Sequence, residues 1–345
     1  MDALSQKTPL RWGVVGLGRA GKASLKAIHL LGEDLAVLSA LASQRAQGQT
    51  VQQEEIWAQD ILGQEILESM HHSTHTVRVY TQWQDLIRDP NIDAIAICSE
   101  NALHASQVEQ ALLHHKHVWV HFPLCTHTQQ VSALFALAQQ QQKCLYVEVF
   151  SLLGERFQQW QDIHQQDKIC TWHSHFQGGL YRWVQEELQA QHTVLLSFAR
   201  LAQAWKLFGP LRCTYAALES SDDDYQLAIH LEPIHLEPIS NQKEGLEAST
   251  LEVSTLTSIS PQLDIKLYES RGIDVKRQQR FTVHTQQGQS LGAIPNQFRQ
   301  FFIRDLQNFY ACYQGQKEAY LSADDLLGIY QLMDQINEYL SKEND

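Results

Sequence analysis

The run Arg11-Trp12-Gly13-Val14-Val15-Gly16-Leu17-Gly18-Arg19-Ala20-Gly21 takes a short apolar strand through a glycine turn and straight into a helix. Gly16 permits the tight turn. Gly18 lets the backbone approach a bound anion, and Gly21 lets the helix pack closely with its N-terminal amides facing that anion. The G-x-G-x-x-G spacing alone occurs in many structural turns. Here Leu25, Ile28 and Leu31 continue at helical spacing, and a second strand, Leu35 to Leu41, comes next. The turn therefore reads as a dinucleotide site, with Gly16, Gly18, Arg19 and Ala20 around the pyrophosphate.

The residues just past the second strand select the dinucleotide. An NAD site usually places a carboxylate there for the ribose hydroxyls. This chain has Ala42-Ser43-Gln44-Arg45 instead. The Ser43 hydroxyl and the Arg45 guanidinium suit a 2'-phosphate, so NADPH/NADP is the expected cofactor. The alternative is a solvated arginine in a polar loop.

A chain of 345 residues exceeds the size at which single cores stop growing, so two domains are expected. The net charge of -13 argues against a nucleic-acid-binding surface. Residues 1–10 lack an apolar signal-peptide core and no run is long enough to span a bilayer, so a soluble cytoplasmic protein with no membrane partner is expected. The cysteines, Cys98, Cys125, Cys144, Cys170, Cys213 and Cys312, show no paired spacing and read as free thiols. Histidine is frequent, but His114-His115-x-His117 and His173-x-His175 lack a matching ligand set, and no metal is expected.

From Trp12 to Phe150 strand-like and helix-like runs alternate: Val77 to Tyr80, Ile92 to Cys98, His117 to His121 and Cys144 to Phe150 read as strands. This is the doubly wound α/β pattern. Residues 47–76 read as a surface elaboration with one helix. Beyond Phe150 come a helix through Trp160, a strand from Cys170 to Phe176 and an apolar helix from Val194 to Phe208. Strands are expected at Leu211 to Leu218, Tyr225 to Leu231, Leu251 to Ile259, Leu263 to Glu269 and Arg280 to Thr285. The tandem His230-Leu231-Glu232-Pro233-Ile234 and His235-Leu236-Glu237-Pro238-Ile239 reads as an exposed excursion, because proline is excluded from central strands. Helices from Phe298 to Tyr313 and from a capping box at Ser322 and Asp325 close the chain. The organisation is a Rossmann domain over residues 1–148 and an α+β domain on a mostly antiparallel sheet over residues 149–345.

Two loops leave the carboxyl ends of parallel strands, Ser99-Glu100-Asn101-Ala102-Leu103-His104 and His121-Phe122-Pro123. In an open parallel sheet that edge holds the ligand. Ser99 and Asn101 could bond ribose or amide, or merely cap a helix, and Phe122 would flank the nicotinamide.

In the glycine turn, the Ile97-Cys98-Ser99-Glu100-Asn101 loop with His104, and the strand before Phe122-Pro123, the chain resembles the Gfo/Idh/MocA oxidoreductases and, within them, the biliverdin reductases. The resemblance continues in Glu148 to Leu153, Tyr181-Arg182-Trp183, Phe198 to Gly209, Leu218 to Tyr225 and Gly272 to Arg280. It implies NADPH-dependent reduction of biliverdin, a linear tetrapyrrole, to bilirubin, with hydride delivered to the central methine bridge. It also implies that Ser99, Glu100, Asn101 and His104 serve the cofactor. Arg182 matches an arginine near the pigment in bacterial members. Arg200, Lys276, Arg277 and Arg280 lie in matching segments and would receive propionates, and Glu148 matches a family substrate-site carboxylate. The second domain's sheet would cover the nicotinamide and hold the tetrapyrrole.

The departures concern the proton. Sugar-oxidising members carry Glu-Lys-Pro where this chain has His121-Phe122-Pro123, and biliverdin reductases usually carry Glu-Tyr-Pro. Phenylalanine donates no proton. The family's Glu-His-x-Glu becomes Glu148, Val149, Phe150 and Ser151. Arg182 and His121 remain as candidate catalytic residues. Arginine is a poor acid, so the proton would come from water ordered beside Arg182 or from His121, whose native pKa suits transfer. His121 could also contact cofactor without proton chemistry. Two other functions stay open: an NADP- and bilin-binding sensor without turnover, and an oxidoreductase for another small substrate.

Overall fold

A computed structural model of the protein describes residues 8–43, 77–221, 223–234, 263–291 and 301–342. In chain order the elements are β1 (Leu10–Val15), α1 (Arg19–Leu30), β2 (Ala36–Ala42), β3 (Arg78–Tyr80), α2 (Trp83–Arg88), β4 (Ala94–Ile97), α3 (Asn101–Leu113) and β5 (His117–His121). Next come α4 (Thr128–Gln140), β6 (Leu145–Glu148), α5 (Glu155–Gln166), β7 (Ile169–Gly179), α6 (Arg182–Gln189), α7 (Phe198–Phe208), β8 (Leu211–Ser220) and β9 (Asp224–Pro233). The last are β10 (Asp264–Gly272), β11 (Gln278–Thr285), β12 (Ser290–Leu291), α8 (Phe301–Tyr313) and α9 (Ala323–Lys342).

Two compact units result, the first from Met1–Gln159, Tyr181–Gln203 and Pro295–Asp334, the second from Trp160–Leu180, Ala204–Ile294 and Gln335–Asp345. Residues 181–203 and 295–334, from the half expected to form the second domain, thus pack with the first. The first unit holds the parallel sheet β3-β2-β1-β4-β5-β6. Strands β4 and β6 are buried along their whole length; β4 is the apolar run expected when both faces are covered, and β6 carries Glu148 into the interior at its last position. The strand order reverses between β1 and β4, so the glycine turn and the Ser99 loop meet at the switch point, where ligands of such sheets bind.

The return of the chain as α8 was not foreseen as part of this core. Leu306 and Phe309 are completely buried among Trp12, Trp119 and Tyr146. Each such burial contributes roughly 1.5–3 kcal/mol relative to exposure. The Trp12 indole donates to the Tyr310 hydroxyl (2.7 Å). α9 opens on a reciprocal cap: the Asp325 amide donates to Ser322 Oγ and the Ser322 amide to Asp325 Oδ2, both at 3.0 Å.

The second unit is the sheet β12-β11-β7-β10-β9-β8, antiparallel except for β7 beside β10. One face packs on Trp160, whose ring lies 5.8 Å from Trp172 and 4.6 Å from Phe281. The other carries a concavity of about 580 Å³ lined by His175, Tyr268 and Arg280 among others. The sheet also corrects one expectation. His230 to Pro233 belong to β9, Pro233 pairing with Leu211 at the strand's last position, so the first repeat copy is sheet rather than excursion. A terminal position tolerates the missing amide. The second copy, Leu251 to Ile259 and the elaboration at 47–76 lie outside the described residues.

Candidate cofactor and active site

The three glycines of the turn do three different things. Gly16 has φ +87°, and a Cβ there would lie 2.6 Å from the Cys98 carbonyl oxygen and 2.7 Å from Ser99 Cα. A Cβ on Gly21 would lie 1.9 Å from the Gly16 carbonyl oxygen. A Cβ on Gly18 would meet nothing within 4 Å. Gly18 is the N-cap of α1, and no side chain caps the helix. Open space before uncapped amides and the positive end of a helix dipole fits a pyrophosphate. Gly16, Gly18, Arg19 and Ala20 would hold it.

Residues 181–192 are tethered beside this turn. The Arg19 guanidinium lies 5.1 Å from the centre of the Tyr181 ring. Asn101 Nδ2 donates to Glu187 Oε1 (2.8 Å), and Glu187 Oε2 meets His192 Nδ1 (3.0 Å). Arg182 opens α6 with its side chain 91% exposed, its Nε donating to Glu186 Oε1 at 2.8 Å. That hydrogen bond, and the charges of Glu186 and Glu100, hold the guanidinium above its ordinary pKa.

The loops after β4 and β5 are fixed by His104. Its Nδ1 lies 2.6 Å from the Pro123 carbonyl and its Nε2 3.1 Å from that of Ser99. Burial pulls the imidazole down to about 4, so it is neutral and carries one N–H, which we assign to the shorter contact. Ser99 Oγ donates to Gln107 Oε1 (2.6 Å).

β5 and β6 end side by side, with His121 opposite Glu148. Glu148 is completely buried. The Phe150 amide donates to its Oε1 (2.6 Å), while Oε2 lies 3.3 Å from His121 Nε2. His121 Nδ1 lies 2.8 Å from the Phe122 carbonyl. Desolvation raises the Glu148 carboxyl to about 8 and lowers the His121 imidazole to about 4. Beneath them the buried Asp305 accepts hydrogen bonds from Trp119 Nε1 (2.6 Å), Tyr320 Oη (2.7 Å) and Tyr146 Oη (3.2 Å). Above, the Phe122 ring stacks on His121 (4.7 Å, 23°) and on Phe198 (5.8 Å, 12°).

Residues 10–149 match the family model described as the oxidoreductase family with an NAD-binding Rossmann fold, Gfo/Idh/MocA. The match spans the parallel sheet of the first unit, from β1 to β6. Biliverdin reductase A of Mus musculus is 24% identical over 250 residues, 70% of this chain and 72% of its own length. The crystal structure of biliverdin reductase from Synechocystis sp. PCC 6803, in complex with biliverdin and NADP+, superposes with a TM-score of 0.66 at 18% identity, covering 97% of this chain and 100% of that one. Scyllo-inositol dehydrogenase from Lactobacillus casei, with bound NAD(H) and scyllo-inositol, gives 0.64 at 16% identity over 97% and 98%. The structural likenesses define the fold and do not choose between these substrates.

Against this geometry several expectations change. His104 spends its N–H on the Pro123 carbonyl, with Nε2 beside the Ser99 carbonyl. Ser99 and Asn101 spend their side chains on Gln107 and Glu187. His121 does not keep its native pKa, because burial disfavours the imidazolium. Glu148 is no open substrate contact. Arg200 is buried, and its Nη2 donates to Ser197 Oγ (2.9 Å). Ser43 lies just past β2, its amide donating to the Tyr80 carbonyl at 3.1 Å, and Arg45 lies outside the described residues. Lys276 is exposed in the β10–β11 turn of the second unit. Tyr181, Phe198 and Asp305 went unassigned by sequence reasoning. The pairing of His121 with Glu148 was available from parallel register alone, had the two strand ends been compared. Among the described residues no group of three His, Cys, Asp or Glu is placed to hold a metal ion, and no helix is long and apolar enough to cross a membrane.

Proposed function

We propose that the protein is an NADPH-dependent reductase of a linear tetrapyrrole, converting biliverdin to bilirubin. The observation that carries this reading is Phe122. A polyol dehydrogenase needs a proton-accepting side chain at that loop, and here an aromatic ring stands stacked between His121 and Phe198. A flat aromatic surface suits a conjugated, planar acceptor better than a sugar hydroxyl. The mouse relative, named for biliverdin reduction and aligned over most of the chain, points the same way.

A reduced dinucleotide held at the glycine turn would supply the hydride for reduction of the methine bridge. The chain's own residues do the rest. Gly18 and the α1 amides hold the pyrophosphate; Ser43 and Arg45 select the 2'-phosphate. His104 fixes the two loops that border the site. Arg182, exposed beside the Arg19–Tyr181 contact, pairs with a propionate, exchanging Glu186 for the ligand's carboxylate.

The test is direct. Mixing the protein with NADPH and biliverdin should bleach the biliverdin absorption band and raise that of bilirubin. Binding without conversion would identify a sensor that has lost turnover. No binding would refute the tetrapyrrole assignment and leave an oxidoreductase for another substrate.

A further inference from the structure

We propose that Glu148 and His121 form the proton-delivering pair of this site, with Glu148 storing the proton and His121 passing it to the substrate. The inference rests on the reductase reading for its substrate, and on geometry for the pair itself. Glu148 is completely buried, so any proton it gives must travel through a neighbour. His121, whose side chain is 22% exposed, is the member of the pair that a ligand can reach.

The proton's location emerges from counting donors. Burial raises both carboxyls, and the Glu148 charge raises Asp305 further still, so ionising both at once is disfavoured and a proton stays on the pair. Asp305 accepts three hydrogen bonds, from an indole and two phenols, and these offset part of its burial cost and favour its ionised form over that of Glu148. Glu148 receives one, from the Phe150 amide, and among the described residues no donor is aligned on Oε2. An ionised Oε2 left without a donor in the interior would be costly. A protonated Oε2 has an acceptor close at hand, His121 Nε2 at 3.3 Å. This fixes the imidazole as the Nδ1–H tautomer, with that hydrogen directed at the Phe122 carbonyl.

The other titratable groups around the pair are neutral. Burial keeps His104 on α3 uncharged; Cys98, just past β4, is a thiol that burial pushes up to about 12; Tyr146 and Tyr320 are held as neutral phenols by burial and the nearby Asp305. No lysine or arginine contributes to the shift of either member.

The step balances. Hydride from the reduced dinucleotide forms the new C–H bond at the methine carbon, and the electron pair it displaces accumulates on the conjugated pyrrole nitrogens. One of those nitrogens takes the proton from His121 Nδ1, displacing the Phe122 carbonyl as its hydrogen-bond partner, as Glu148 Oε2 passes its own proton to Nε2. The site is left with a Glu148 carboxylate and a neutral imidazole carrying its hydrogen on Nε2. One proton from solvent, then tautomer exchange, restores the start. Glu148 acts through His121 and is a positioning residue; His121 is the catalytic acid.

Two measurements on the NADPH-loaded protein test this. The infrared difference spectrum between wild type and E148Q at neutral pH should contain a protonated carboxylic C=O band, which titrates away as pH rises through about 8. Carboxylate bands alone would overturn the proposal whether or not biliverdin is the substrate. Single-turnover reduction of biliverdin should slow by about 10²–10⁴-fold in E148Q and lose the decline near pH 8, and E148D should restore both. Unchanged rate and profile in E148Q would overturn the relay. A wild type that leaves biliverdin untouched while showing the protonated band would refute the substrate and retain the pair.

Discussion

Replacing Gly18 by alanine separates cofactor binding from folding. The Gly18 backbone, at φ -68° and ψ -167°, is one that alanine adopts, and its Cβ would enter space with no atom within 4 Å. Exchange at such a compatible position stabilises a fold by roughly 0.4–1 kcal/mol through the unfolded chain. In the same space a phosphate oxygen would sit about 2.9 Å from the helix amides, and an added methyl needs about 3.4 Å from that oxygen. The phosphate must retreat and give up at least one charge-assisted hydrogen bond, a loss of about 1.5–3 kcal/mol. That corresponds to roughly a 10- to 150-fold rise in Kd. Titration calorimetry with NADPH and NADH, alongside urea unfolding of the ligand-free protein, reads both numbers. We expect weaker binding of both dinucleotides with an unchanged or slightly higher urea midpoint. Gly21→Ala is the contrast: a Cβ 1.9 Å from the Gly16 carbonyl forces backbone to move, and stability and affinity should fall together. Wild-type affinity in Gly18→Ala would show that the phosphates do not lie at this turn.

Arg45→Ala should raise KM for NADPH by about tenfold or more and leave that for NADH unchanged; an unaltered ratio would remove Arg45 from cofactor selection. Arg182→Ala should lower kcat/KM for biliverdin by about tenfold or more without moving the urea midpoint, since the side chain is exposed. Full activity in that variant would exclude it from pigment binding. Acid should destabilise the fold through His104, whose pKa is lowered from 6.5 to about 4 by burial. The unfolded chain takes up the proton first, so this contribution is complete above about pH 6.5, declines below it and is lost as pH falls through about 4. It amounts to about 3 kcal/mol. His104→Gln should flatten that part of the urea stability curve against pH, and an identical slope in wild type would refute the assignment.

The Rossmann half was legible because its signals are local. Strand runs such as Ile95-Ala96-Ile97 are apolar throughout, the glycine turn is a contiguous motif, and the observed strands fall within a few residues of those expected. The capping pair Ser322 and Asp325 was legible for the same reason. The tandem repeat was misread because a proline excludes only interior strand positions, and Pro233 occupies the last one.

The sequence by itself determined the alternation of strands and helices, the place of the phosphate turn and the absence of a lysine or tyrosine at Phe122. All three depend on residue identity and near neighbours. Only the tertiary structure decided the state of the ionisable groups. Trp12 and Tyr310 meet across 298 residues, and Trp119 and Asp305 across 186. Such contacts bring α8 under β5 and β6 and set Asp305 near Glu148. A pKa reports solvent lost and charges gained, and both are properties of the folded surroundings rather than of the side chain. His121 and Glu148 look like an ordinary base and an ordinary acid on the line of the sequence; burial side by side reverses which of them holds the proton.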